Sequence, residues 1–392
     1  MTYERATDGA GSGTRVAIIC GAGIVSGKEI MALELGEGLR TRGRSVSYVT
    51  SRWGNGDFSE RLQALGFPFR RMRLGFISAT LTWDCLRMTA DQFGRWPKLL
   101  WDYARFLRVE KPRHVVHTNW HHLLVLWPLL RRERDLFWVH DVVLDRPQYR
   151  RVFHLLGRRL GGFVAASHAV GKSLEVIGIP RERVRVIHNG LELPERSGAV
   201  PSQPADAPVR VGIVGQIGAW KGHEDLLAAF GRLATQHPTA ELHVFGRGQE
   251  AYVAELRRQT EALHLTGRVF WRGFEPDRAK AFQALDLCVM PSRVEEAFGL
   301  TAVEAGLFGL PVIASRRGAL PEIVEDGVTG RLCDAENPAD LAAKLDELLR
   351  DPDQRKRLGA AGRQRAETYF SRRRMVENFL QLLGETGRAA RG

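Results

Sequence analysis

Cysteine is scarce in this chain, and what there is stands apart. Cys20, Cys85, Cys288 and Cys333 form no C-x-x-C pair, so neither a disulfide framework nor a zinc site is expected, and a reducing cytosol fits. Long apolar runs are missing. None approaches the roughly 20 residues that cross a bilayer. The first residues are polar and glycine-rich, from Thr7 to Thr14, and lack the apolar core of a signal peptide. The aromatic and basic platform of a single-strand binder is absent, as is any nucleic-acid motif. Paired carboxylates at metal-ligand spacing are absent too. Asp351-Pro352-Asp353 is formally D-x-D, but it falls between two expected helices, where Asp353 suits an N-cap. His117, His121 and His122 lack carboxylate partners in the sequence and read as surface or acceptor-side residues, so no metal is expected.

What is present fits two ordinary domains. The chain has 392 residues, 44% hydrophobic and 26% charged. The net charge of +12 lies entirely in the first half. Residues 1–200 hold 31 Lys and Arg against 19 Asp and Glu, and residues 201–392 hold 26 of each. A basic half suits an anionic lipid surface or an anionic acceptor, with solvated arginines as the plainer reading.

Short apolar runs alternate with helical patterns twice over. In the first series, strands are expected at 15–20, 45–50, 115–117, 137–140, 162–166 and 184–187, with helices at 29–40 and 95–109. Residues 195–208 are rich in Pro, Ser and Ala without periodicity and read as a linker. The second series has strands at 209–214, 240–245, 268–271, 285–290 and 310–314, and helices at 224–236, 250–263, 338–349 and 353–368. The pattern predicts an α/β protein of two doubly wound, Rossmann-like domains facing a central cleft.

Residues 290–315 carry the strongest chemical signal. Glu296 and Glu304 stand with seven residues between them, one just before an expected helix and one near the end of its second turn. The helix start at Gly299, Leu300 and Thr301 offers unpaired N–H groups to an anion. An anion site flanked by two carboxylates suits a ligand with both phosphates and hydroxyls. With Pro291, Ser292, Phe298, Ala305, Gly309, Pro311 and Val312 in register, the segment resembles the E-x7-E signature of the retaining family 4 glycosyltransferases, which have the GT-B fold.

Further segments carry the resemblance. V-G-I-V-G-Q-I-G-A-W-K-G at 211–222 resembles the opening of the family's second domain. It places Lys221 at the diphosphate-binding lysine and Gln216 where the family has Arg, so that either Gln216 hydrogen-bonds the phosphate instead or a nearby Arg such as Arg247 compensates. Gly246 and Arg247 resemble a strand-ending G-x-G turn beside the nucleotide. The strand around Phe270 and Trp271 resembles the one whose backbone recognises the base. Gly21 and Gly23 resemble the Gly-rich loop near the donor phosphates. His140 matches the histidine that contacts donor sugar and phosphate, with Asp141 placed to orient its ring. Ser167, Asn189, Gly190 and the 318–324 segment match further landmarks. A P-loop is rejected at 21–29, because Ala22 stands where the first glycine belongs and Glu29 replaces the Ser or Thr for magnesium.

The resemblance implies a tail at 1–14, an acceptor-binding domain at 15–194, a linker at 195–208, a nucleotide-sugar domain at 209–370, and a helix at 371–392 crossing back to the first domain. It implies hexosyl transfer with retention from a UDP- or GDP-sugar, in cell-surface polysaccharide, lipopolysaccharide or glycolipid synthesis. His140, Glu296 and Lys221 would serve catalysis. Gly21, Gly23, Gln216, Gly246, Arg247, Phe270, Phe298, Gly299, Leu300, Thr301 and Glu304 would bind the donor. The nucleotide diphosphate sugar is a co-substrate, with no tightly bound cofactor and no metal requirement. The expected partners are that donor and a saccharide or lipid-linked acceptor, with peripheral contact to an anionic membrane and no nucleic acid. The expected location is cytoplasmic, including the inner membrane face. The alternatives are another GT-B nucleotide-sugar enzyme, such as a sucrose-phosphate synthase or an epimerase, and a non-catalytic nucleotide- or nucleic-acid-binding protein.

Overall fold

The computed structural model describes residues 14–21, 25–52, 56–74, 92, 94–192 and 207–389. Residues 1–13 of the expected tail, most of the expected linker, Gly23 and Cys85 lie outside them. The chain divides into two units. One joins Met1–Gly190 with Arg372–Gly392, and the other is Leu191–Ser371.

The first unit is a parallel sheet of seven strands: β1 (Arg15–Ile19), β2 (Ser45–Ser51), β3 (Phe69–Met72), β4 (His114–His117), β5 (Asp135–Val139), β6 (Gly162–Ala165) and β7 (Val184–Val186). Their order is β3-β2-β1-β4-β5-β6-β7. Helices α1 (Gly27–Thr41), α2 (Asp57–Ala64), α3 (Trp96–Glu110), α4 (Trp120–Leu126), α5 (Pro147–Gly157) and α6 (His168–Val176) connect them. The second unit has six parallel strands: β8 (Arg210–Val214), β9 (Glu241–Phe245), β10 (Val269–Gly273), β11 (Leu287–Met290), β12 (Val312–Ser315) and β13 (Gly330–Cys333). Their order is β10-β9-β8-β11-β12-β13. Its helices are α7 (His223–Leu233), α8 (Glu250–Ala262), α9 (Arg278–Gln283), α10 (Leu300–Leu307), α11 (Leu320–Ile323), α12 (Pro338–Arg350) and α13 (Pro352–Tyr369).

Helices on both faces explain the sequence pattern. β4, β5, β11 and β12 are buried at every position, so they show no in–out alternation, and their polar members His114, His117, Asp135 and Ser315 are buried with them. β3 is an edge strand, F-R-R-M, with both arginines exposed. It has no apolar run and was not expected, nor was α2.

The last helix, α14 (Arg372–Ala389), packs on α1 within the first unit. Arg372 pairs with Glu34 and with Glu37, the latter at 3.0 Å. Phe379 is fully buried, with its ring edge-on to Trp138 at 4.8 Å. Its burial contributes about 1.5–3 kcal/mol. The cap of α13 is Asp351, which accepts from Gln354 N at 2.8 Å. Asp353, expected as the cap, lies in the first turn instead, because Pro352 takes an opening position of the helix that needs no N–H donor.

Candidate functional site

In the second unit the strand order reverses between β8 and β11. Loops leaving the carboxyl ends of strands at such a switch point diverge and leave a crevice. The loop after β8 ends in a short turn, Ala219–Lys221. Gly222 follows at φ 72, and a Cβ there would lie 2.0 Å from the Pro291 carbonyl oxygen. Only glycine lets this turn lie against the loop after β11. The two loops are then tied. Arg293 N donates to Trp220 O at 2.9 Å, and the Arg293 guanidinium forks onto Asp225 at 2.7 and 2.8 Å. Lys221 Nζ consequently reaches Glu296 Oε1 at 2.5 Å. The Ser292 hydroxyl donates to the same oxygen at 2.5 Å. Ala319 N donates to the Glu296 carbonyl at 2.8 Å and fixes its backbone.

Glu296 sits just ahead of α10. Gly299 is that helix's N-cap, at φ 98. Ala302 N and Val303 N donate to the Gly299 carbonyl at 2.9 and 3.4 Å. The N–H groups of Leu300 and Thr301 come first in the helix and have no carbonyl within it. Thr301 Oγ1 donates to the carbonyl of Val214, at the end of β8, at 3.4 Å. The helix dipole thus ends where Lys221 and Glu296 meet the sheet. Glu304 is the fifth residue of α10, early in the second turn rather than near its end. Arg278 of α9 forks onto its carboxylate, Nε to Oε1 at 2.9 Å. Burial pushes the Glu304 carboxyl up from its ordinary value, and Arg278 opposes that.

A cavity of about 440 Å³ lies between the loops after β8 and β9, strand β10 and helix α8. It is lined by Gly246, Arg247, Trp271 and Gly273, among others. Gly246, at φ 154, has no room for a Cβ, which would stand 1.7 Å from the Gly215 carbonyl oxygen. The Arg247 guanidinium lies over the Phe274 ring at 4.9 Å. Gln216 is exposed. Phe270 does not line this cavity. Strand alternation turns its ring toward His243 at 5.1 Å, and Trp271 is the aromatic that faces the space. Phe298 is 4% exposed and packs edge-on to Phe370 at 5.8 Å, a packing role for the side chain.

In the first unit, Gly21 follows β1 and is buried. The following G-K-E has a local explanation: Ser26 N donates to Glu29 Oε2 at 2.9 Å in a capping box, with Glu29 fully buried. His140 comes directly after β5, its ring 4.3 Å from that of Trp138. Its Nε2 is buried without a hydrogen-bond partner. Burial, with Lys28 nearby, lowers its pKa to about 3, so the imidazole is neutral. Asp141 is exposed and does not orient it. His117 and His122 are interior rather than surface residues. His117 Nε2 lies 2.8 Å from Asp135 Oδ1, and Asp135 is in turn held by Arg134.

Sequence reasoning missed Arg278, the pairing of Ser292 with Glu296, and Arg293. Arg278 and Arg293 act through partners 26 and 68 positions away, so spacing gave no signal; Ser292 and Glu296 are four apart, but on a loop that has no helical period to bring them together. It also missed His223, at the start of α7. That residue is buried, its Nδ1 has no partner, and burial lowers its pKa to about 4.

Known proteins show the family and the fold. Residues 26–190 match the glycosyl transferase 4-like domain, and residues 201–365 match the glycosyl transferases group 1. The chain belongs to the GT-B glycosyltransferases. It is 36% identical over 176 residues to D-inositol 3-phosphate glycosyltransferase of Corynebacterium kroppenstedtii, covering 42% of this chain and 38% of the relative. It is 32% identical over 197 residues to glycogen synthase of Mycobacterium tuberculosis, covering 50% and 47%. The matched stretch therefore spans less than half the length of these relatives. Among solved structures, Anabaena HepE in complex with UDP and glucose superposes with a TM-score of 0.76 at 20% identity, covering 94% of this chain and 99% of that one. Sucrose-phosphate synthase from Thermosynechococcus elongatus gives 0.74 at 23%, covering 96% and 100%. Both share the fold with this glycosyltransferase.

Proposed function

We propose that the chain transfers a hexosyl unit from a nucleotide diphosphate sugar, UDP- or GDP-linked, to an acceptor with retention of configuration. The observation that carries the reading is the Lys221–Glu296 pair held at the start of α10. An ammonium and a helix N-terminus converge where a departing diphosphate would need positive charge. These groups would supply that charge with no metal required, and the nearby carboxylates Glu296 and Glu304 are paired with Lys221 and Arg278. Glu296 would bind hydroxyls of the transferred sugar once Lys221 turns to the phosphate. Glu304 would bind the ribose beside Arg278. The 440 Å³ cavity would take the base between Arg247 and Trp271. The neutral His140, with its unbonded Nε2, would hydrogen-bond a sugar hydroxyl or phosphate oxygen. The site offers no distinct covalent nucleophile, so retention would proceed by front-side attack, the leaving phosphate taking the acceptor's proton.

The acceptor would be a saccharide or lipid-linked glycan of the cell surface, met from the cytoplasmic side. No helix among the described residues is long and apolar enough to cross a membrane. Trp101 on α3 is 57% exposed between Lys98 and Arg105, 5.9 and 5.7 Å from its ring. That combination suits peripheral contact with anionic lipid. The test of the reaction is transfer of labelled sugar from UDP- or GDP-sugars into a glycolipid fraction. Transfer that survives intact in both Glu296→Ala and Lys221→Ala would sink the assignment.

A further inference from the structure

Arg293 joins two loops, but its guanidinium also meets both acidic residues in the first turn of α7. It forks onto Asp225, Nε to Oδ2 at 2.7 Å and Nη2 to Oδ1 at 2.8 Å, and it pairs with Glu224 as well. The Tyr252 hydroxyl of α8 donates to Glu224 Oε1 at 3.2 Å. These carboxylates stand close to Lys221. A Cβ on Gly222, the residue after Lys221, would lie 3.3 Å from Asp225 Oδ2. Lys221 nevertheless pairs with Glu296 rather than with either of them.

Acidic residues in a first turn suit the helix dipole by themselves. That accounts for Glu224 and Asp225 on α7. It does not account for a part-buried guanidinium brought to them from the loop after β11. A bidentate fork of this kind holds a carboxylate strongly and in one orientation, with little left for a second cation. The charge balance supplies a reason for it. Lys221, Arg293, Glu224, Asp225 and Glu296 are two cations and three carboxylates. Without Arg293, one lysine would face all three. A lysine is a compact charge on a flexible stem, so it would divide its time among them. Two uncompensated carboxylates beside it would also repel an incoming diphosphate.

We infer that Arg293 is a positioning residue for Lys221: by neutralising Asp225 and Glu224 it keeps the ammonium on Glu296 and available to the diphosphate. The role toward the diphosphate rests on the donor site proposed above. The competition for Lys221 needs no ligand.

Three variants of the whole chain separate charge from bracing. Arg293→Gln removes the cation. Asp225→Asn with Glu224→Gln removes the two carboxylates, while the amide oxygens still accept from the guanidinium. All three substitutions together remove both. In each background, urea unfolding with Lys221→Met, Glu296→Gln and both reads the coupling of Lys221 to Glu296. That coupling should fall by at least about half in Arg293→Gln and recover in the triple variant. Calorimetry with UDP and GDP reads the ligand side. Whichever nucleotide wild type binds should bind at least about tenfold more weakly to Arg293→Gln, and recover most of that loss in the triple variant. The amide pair should bind it as tightly as wild type or more so. A residue that only braced the fold would give no recovery, since the triple variant has no guanidinium. Where Arg293→Gln does not fold, the amide pair and the triple variant decide, because neither holds an uncompensated carboxylate at 224 or 225. Coupling unchanged by Arg293→Gln, or coupling and affinity still lost in the triple variant, overturns the inference. Coupling that responds as expected in a chain that binds neither nucleotide would overturn the donor site and uphold the role of Arg293 toward Lys221.

Discussion

Lys221→Met and Glu296→Gln, made singly and together, separate what the ion pair does for the fold from what the lysine does for a ligand. At 2.5 Å the two charges attract by about 7 kcal/mol for an effective dielectric of about 20. Their side chains are 27% and 14% exposed, so solvent screening and the loss of hydration offset most of that, leaving a net coupling of about 1–3 kcal/mol. Urea unfolding of the three variants should return a double-mutant coupling of that size. The ligand side behaves differently. Lys221→Met loses a charge-assisted contact to the diphosphate, about 1.5–3 kcal/mol, and should weaken nucleoside diphosphate binding about 10- to 150-fold. Glu296→Gln removes the competitor for the lysine. It should bind the free nucleotide as tightly as wild type or more so, yet lose turnover with the sugar nucleotide. A coupling below about 0.5 kcal/mol, or nucleotide binding by Lys221→Met within about twofold of wild type, would refute the reasoning.

Other positions offer independent checks. Gly246→Ala places a methyl group 1.7 Å from the Gly215 carbonyl oxygen; it should cost about 2–4 kcal/mol in urea unfolding and remove nucleotide binding. Glu304→Gln leaves Arg278 without its charge partner; it should lower stability by about 1–2 kcal/mol and weaken nucleoside binding, both readable by thermal shift and calorimetry. His140 titrates near 3 in the fold against 6.5 when unfolded, so the unfolded chain takes up its proton first as pH falls. Stability from this residue should drop below pH 6.5, by about 2 kcal/mol on reaching about pH 5. His140→Phe should flatten that part of the pH–stability curve, and an unchanged curve counts against the burial argument.

Much of the fold was legible because the central strands are covered on both faces. Runs such as residues 285–290 and 310–314 have no alternation, and the structure trims the first to Leu287–Met290 and shifts the second to Val312–Ser315. β3 was not legible, since its F-R-R-M sequence is that of an exposed edge. The helix 95–109 was found, but its aromatic residues divide. Phe106 is core, Trp96 donates through Nε1 to the Val125 carbonyl at 2.6 Å, and Trp101 is exposed. The helical period identifies a stripe without saying which member faces outward. The two glutamates and Lys221 stand out in the sequence by the E-x7-E spacing and the resemblance. What was not readable is that they already hold partners. Arg278 lies 26 positions from Glu304, and Lys221 lies 75 from Glu296. Only the meeting of the loops after β8 and β11 brings the latter pair together.

The most direct test of the donor site is calorimetric titration of the intact chain with UDP, GDP and ADP, repeated with Lys221→Ala. The account predicts saturable binding of one uridine or guanosine diphosphate, lost or strongly weakened in the variant. Absence of binding by all three nucleotides, or binding indifferent to Lys221, would contradict it.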